Sequence, residues 1–99
     1  MTRDDVITRL KASEPQIRVF GVSALYLYGS YARDEARSDS DLDVFVDFET
    51  GRGAPLTEFL RPYHLLEQQF PGMDIGYGTR DSLVAPYRQS IEKSAIRIF

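Results

Sequence analysis

Apolar and polar positions along this chain sort into short segments of two different periods. Val6, Ile7 and Leu10 recur at helical spacing behind Thr2, a residue suited to cap a helix, and Asp4 and Asp5 fall in the first turn, where the helix dipole favours negative charge. That helix is expected to end near Ser13. Pro15 suits the first turn of a second short helix, with Ile17 and Phe20 on its apolar side and Gly21 as its stop. Val22 to Tyr28 is apolar on both faces and rich in β-forming residues, so it reads as a central strand covered on both sides. From Asp41 to Phe48 the period is two: Leu42, Val44, Val46 and Phe48 share one face, and Asp41, Asp43, Phe45 and Asp47 share the other.

Glu49 to Pro55, with two glycines and a proline, reads as a loop. Thr57 is the expected cap of a helix carrying Phe59, Tyr63, Leu66 and Phe70, in which Pro62 removes one backbone donor and should kink the helix or delay its start. Pro71-Gly72 ends it. Met73 to Tyr77 is expected as a third strand that buries Met73, Ile75 and Tyr77 and sends Asp74 to the opposite face. A turn at Gly78-Thr79 follows, and Pro86 opens a last helix with Tyr87 and Ile91 on one side. The tail Ile96 to Phe99 reads as an edge strand or an interface arm. The order helix, strand, strand, helix, strand, helix predicts an α+β fold, a small sheet packed against helices, in one domain over residues 1–99.

Composition narrows the function. Ninety-nine residues suffice for one core and leave little for a dedicated substrate pocket. With no cysteine there is no disulfide framework and no thiolate nucleophile. The N-terminus lacks an apolar signal core and no stretch approaches a membrane span, so a cytoplasmic protein is expected. Twelve basic against fifteen acidic residues give a net charge of −3, unfavourable for tracking a nucleic-acid backbone. If phosphates are handled, a metal must bring the positive charge.

The candidate chemistry lies at the strand ends. Asp41 and Asp43 are two apart on a strand and share a side, and Asp74 occupies the polar position of a strand that could neighbour it. At about 5 Å and an effective dielectric near 20, each pair of carboxylates repels by roughly 3 kcal/mol, so the cluster calls for cations, and all-oxygen ligands suit Mg²⁺. Gly29-Ser30 follows a strand and precedes a short helical piece, Tyr31 to Asp34, for which Ser30 is the expected cap; free N–H groups there form a phosphate seat. Gly29 lets the backbone approach a triphosphate, Ser30 adds a hydroxyl, and Arg33 or Arg37 would neutralise outer phosphate oxygens. A triphosphate seat beside a two-metal site is an apparatus for phosphoryl transfer.

These residues, Gly29-Ser30-Tyr31-Ala32-Arg33 continuing through Ser38-Asp39-Ser40-Asp41-Leu42-Asp43-Val44, resemble the signature of the DNA polymerase β-like nucleotidyltransferases. The short chain is similar to their minimal nucleotidyltransferase branch, whose members act as antitoxins beside HEPN-domain RNase toxins. The resemblance implies a polymerase β-like core, Asp74 as the third metal carboxylate beside Asp41 and Asp43, and Gly29, Ser30, Arg33 and Ser40 at the nucleotide. It also implies two Mg²⁺ ions, ATP as donor, and AMP passed to a hydroxyl, a tyrosine of a HEPN toxin in a hetero-oligomer. One position departs from the pattern: Asp34 stands where the family commonly has glycine. An antitoxin that neutralises its toxin by binding alone is the alternative reading, separable by alanine at Asp41 and Asp43. A nucleic-acid-binding module is disfavoured by the charge. His64 reads as a solvated or packed residue, Tyr26, Tyr28, Tyr31, Tyr63 and Tyr77 as packing residues, and Asp39 and Asp47 as loop and strand-end charges.

Overall fold

The computed structural model describes residues 1–49 and 55–99. In chain order the elements are α1 (Arg3–Ala12), α2 (Glu14–Val19), β1 (Val22–Tyr28), α3 (Gly29–Ala32), β2 (Leu42–Phe48), α4 (Leu56–Gln69), β3 (Ile75–Thr79), a 3₁₀ turn (Arg80–Ser82), α5 (Arg88–Ser94) and β4 (Ile96–Arg97). The four strands make one mixed sheet in the order β3-β2-β1-β4. β1 runs antiparallel to both β2 and β4, and β2 and β3 are parallel. The expected α+β class and its sheet-on-helices layering are what the chain adopts.

Local chemistry accounts for the first helices. Thr2 caps α1 through a reciprocal box: its hydroxyl accepts from the Asp5 N–H (3.1 Å), and the Asp5 carboxylate accepts from the Thr2 N–H (3.0 Å). Ser13 ends α1, and α2 follows at once with Pro15 in its first turn. Val6 and Leu10 of α1, Ile17 of α2, Leu66 of α4 and Phe70 just past its end pack on one face of the sheet against Leu25, Leu27, Leu42, Val44 and Val46. Full burial of each such side chain contributes about 1.5–3 kcal/mol. A bulge between Val22 and Ala24 resets the parity of β1, so Val22, Leu25 and Leu27 all reach this core.

The other face of the sheet is only partly covered, which corrects the reading of β1 as a strand enclosed on both sides: Tyr26 and Tyr28 are half-buried there. Several boundaries also move. The cap of α4 is Pro55, and Thr57 lies inside the helix, which runs through Pro62 without a delayed start. β3 begins two residues later than expected and includes Gly78 and Thr79, because their partners Phe45 and Val46 in the parallel ladder extend it. α5 starts at Arg88, two residues past Pro86, and Tyr87 is 65% exposed instead of packed. The tail resolves as an edge strand: Ile98 donates to the Leu25 carbonyl (2.8 Å), Leu25 donates to that of Phe99 (3.0 Å), and both tail side chains are buried. Most of the expected loop from Glu49 to Pro55 lies outside the described residues. Among the described residues, no helix is long and apolar enough to cross a membrane.

Candidate active site

The site forms where β1 turns into α3. Gly29 has φ +77, a left-handed conformation that side chains other than glycine resist, and it turns the chain at the end of β1. Arg33 then donates to the Gly29 carbonyl (3.2 Å) and Glu35 to that of Ser30 (2.9 Å). Buried Tyr31 and Ala32 anchor this single turn to the core. Ser30 is not its cap, as had been expected; Tyr28 holds the cap position and no side chain bonds the turn's N–H groups. These first-turn donors have no intrahelical acceptor, as a phosphate seat requires. Asp34, at the position where the resembling family has glycine, takes φ +59, so the backbone there is the one glycine would favour.

Asp43 is the centre of the arrangement. It pairs with Tyr28 on one side and Gly76 on the other, so all three lie in one row across the sheet. A Cβ built on Gly76 would fall 2.5 Å from Asp43 Oδ1, and one on Gly29 would collide with Oδ2. The carboxylate thus lies in a cradle between two glycines from different elements. Burial pushes its pKa up, the charge of Asp41 adds to that effect, and Arg33 opposes it. Among the described residues the Asp43 carboxylate has no hydrogen-bond or ion-pair partner. A desolvated carboxylate beside a second one, with oxygen donors only, fits a hard divalent cation.

The remaining residues singled out from the sequence are placed unequally. Asp41 is exposed, immediately ahead of β2. Asp74 is exposed ahead of β3, outside the strand in which it had been expected, and its carbonyl accepts from Leu42 N–H (2.9 Å). That contact continues the ladder and sets the Asp74 backbone beside that of Asp41. The charge of Asp74 bears on the Tyr63 hydroxyl, whose pKa is raised first by the neighbouring Glu67 carboxylate. Among the described residues, no group of three or more carboxylate or histidine side chains is already assembled as a metal site. A backbone register brings strands together; it does not rotate an exposed side chain inward. Arg33 is exposed, with Nε 3.4 Å from Glu35. Ser40 closes the loop before Asp41, its hydroxyl accepting from Arg37 N–H (2.7 Å). His64 is exposed beside Glu67, as a solvated residue should be.

One residue on this face carried no signal in the sequence reading. Arg80 forks onto Asp47, with Nε 3.2 Å from Oδ1 and Nη2 2.9 Å from Oδ2, and lies 5.0 Å from the Tyr26 ring centroid and 5.2 Å from that of Phe45. Its Nη1 also reaches Glu92 of α5 (3.5 Å), so Arg80 ties α5 to the open face. Asp47 is therefore a buttress and not merely a strand-end charge. A groove of about 410 Å³ is lined by Tyr28, Gly76, Gly78, Leu83, Tyr87 and Ile91, among others.

Comparison with known proteins identifies the chemistry. The nucleotidyltransferase domain family matches residues 4–98. A Methanocaldococcus jannaschii protein, provisionally named a protein adenylyltransferase, is 32% identical over 80 residues, covering 80% of this chain and 79% of that one. The protein adenylyltransferase MntA of Thermococcus cleftensis is 42% identical over 50 residues, half of each chain. The solved structure of a provisionally assigned minimal nucleotidyltransferase superposes with a TM-score of 0.78 at 31% identity, covering 97% of this chain and 95% of that one. A toxin–antitoxin structure with AMP-PNP shares the fold, with a TM-score of 0.64 at 16% identity over 100% of this chain and 73% of that one. Matched by the family from residue 4 to residue 98, the chain belongs to the nucleotidyltransferase domain family, in its minimal branch.

Proposed function

We propose that this chain transfers AMP from ATP to a hydroxyl group of a partner HEPN-type RNase toxin, a tyrosine hydroxyl, and acts as that toxin's antitoxin. The observation that carries the reading is the cradled, half-buried Asp43 carboxylate beside Asp41, next to an uncapped helical turn. The relatives named protein adenylyltransferase support AMP as the transferred group, and a fold shared with a toxin–antitoxin complex holding AMP-PNP is consistent with such a partner. Residues 1–99 act as one domain, in the cytoplasm, where ATP is supplied.

Asp41, Asp43 and Asp74 would hold Mg²⁺, which, when bound, offsets the charge of the triphosphate and lowers the pKa of the acceptor hydroxyl. The N–H groups from Gly29 to Tyr31 and the Ser30 hydroxyl bind phosphate oxygens. Arg33, whose charge already bears on Asp43, neutralises outer oxygens. Ser40 shapes the loop that delivers Asp41 and donates its own O–H to the nucleotide. Asp74 receives the acceptor's proton as the hydroxyl oxygen bonds to the α-phosphorus and pyrophosphate leaves.

A second reading is neutralisation by binding alone: among the described residues no group of three or more carboxylate or histidine side chains is already assembled as a metal site. Intact mass spectrometry of a co-purified toxin incubated with the chain, ATP and Mg²⁺ separates the two. Adducts in steps of one AMP that vanish with Asp41→Ala/Asp43→Ala establish transfer. An unmodified toxin that both forms still suppress establishes binding alone.

A further inference from the structure

We infer that Tyr28 is a positioning residue for the site: its ring, fixed at the end of an aromatic stack, holds the Asp43 carboxylate in the orientation from which it grips a divalent cation. The inference rests on the transfer reading above only for the reaction that this cation serves.

The row Tyr28, Asp43, Gly76 across the sheet carries it. The glycines on either side of the carboxylate give it room and no direction: a Cβ on Gly76 would lie 2.5 Å from Oδ1, and one on Gly29 would collide with Oδ2. Among the described residues no hydrogen bond or ion pair fixes it either. Its orientation therefore depends on the one side chain beside it in that row. Tyr28 is its partner in the antiparallel β1–β2 ladder, where the Cβ atoms of paired residues lie about 4.5–5.5 Å apart on one face. Burial, and after it the charge of Asp43, raises the pKa of the Tyr28 phenol, so the ring stands within the field of the carboxylate. That ring is held in turn. It meets the buried Phe45 ring at 5.7 Å, Phe45 stacks on Tyr26 at 4.8 Å, and the Arg80 guanidinium closes the stack 5.2 Å from the Phe45 centroid. Phe45 follows Asp43 by two residues on the same face of β2, so one strand bears both the stack and the carboxylate. The Tyr28 hydroxyl has no hydrogen bond among the described residues, which leaves the holding to the ring. A carboxylate already confined to one rotamer loses less conformational freedom when a cation fixes it.

The test uses the full chain and two readouts. In the metal-free protein the Hα–Hβ couplings of Asp43 report its rotamer, and Mn²⁺ affinity, followed by electron paramagnetic resonance without nucleotide, reports the consequence. Tyr28 is half-buried on the open face of the sheet, away from the core, so Tyr28→Ala is expected to keep the fold; Tyr28→Val, a better strand former, replaces it if the melt shows otherwise. Wild type is expected to show a single Asp43 rotamer. Removing the ring is expected to average the couplings and weaken Mn²⁺ by about tenfold, while Tyr28→Phe keeps one rotamer and an affinity within about twofold of wild type. Averaged couplings in the wild-type chain, or a single rotamer that survives loss of the ring, would overturn the inference. So would an Mn²⁺ affinity unmoved once the couplings average. If Tyr28→Phe fares as badly as Tyr28→Ala, the hydroxyl is the working group and the ring is not. Transfer to a toxin enters neither readout. A chain that passes both and adenylylates nothing would sink the proposed function alone, and one that transfers AMP with a freely rotating Asp43 would sink this inference alone.

Discussion

Gly76 and Asp43 face each other across the parallel β2–β3 ladder, and the hydrogen that Gly76 carries in place of a side chain is what leaves room for the Asp43 carboxylate. A methyl group there would lie 2.5 Å from Oδ1, closer than real Cβ contacts come. Gly76→Ala therefore rotates the carboxylate out of its cradle. Nucleotidyl transfer is expected to fall by about tenfold or more, equivalent to roughly 1.4 kcal/mol of barrier, with the fold intact. Initial rates measured beside a thermal melt check this, and an unchanged rate would mean that the orientation of Asp43 does not matter.

Arg80 and Asp47 form a two-point pair over a stacked aromatic platform, Tyr26 and Phe45 lying 4.8 Å apart at 15°. Both charged side chains are about one-third exposed, so the pair is worth more than a solvated bridge and less than a buried one. Arg80→Met is expected to cost about 1–2 kcal/mol, lowering the melting temperature of a chain this size by roughly 4–15 °C. A denaturant cycle with Asp47→Asn and the double variant isolates their coupling; additive losses would refute it.

Asp34 adopts φ +59 with its side chain exposed. A β-branched residue tolerates this conformation poorly, so Asp34→Val is expected to lose about 1–2 kcal/mol, while Asp34→Gly stays within about 0.5 kcal/mol of wild type. Chemical denaturation of the two variants provides the comparison. Equal losses would show that the side chain, and not the backbone angle, decides.

The Thr2 N–H, donated to the Asp5 carboxylate, is the main reason that its pKa lies below the ordinary 3.8, with the Thr2 hydroxyl contributing. A carboxylate with a depressed folded pKa binds fewer protons folded than unfolded. Its contribution is therefore complete above 3.8 and lost as pH falls through the lower folded value. Protection from hydrogen exchange at the amides of Val6 and Ile7, taken relative to the unstructured rate at each pH, is expected to fall as acid opens the box. Asp5→Asn serves as the control, since its α1 amides should show no such step.

The sequence by itself determined the local elements and the chemistry they carry. Thr2 and Pro15 mark helix starts through backbone donors they satisfy or lack. The alternation from Leu42 to Phe48 assigns one face to the core and the other to carboxylates, because successive strand residues point to opposite sides. The Gly29-Ser30 turn and the Asp41-x-Asp43 pair were legible because each is carried by residues close together in the chain. Only the tertiary structure decided what meets across strands. Whether Gly78 ends β3 or extends it and whether Arg80 finds Asp47 or solvent both depend on the β2–β3 register and on the side chains it brings together. The same register places Gly76 against Asp43. Pairing between segments some thirty residues apart is fixed by the packing of the whole core, and no local period in the chain records it.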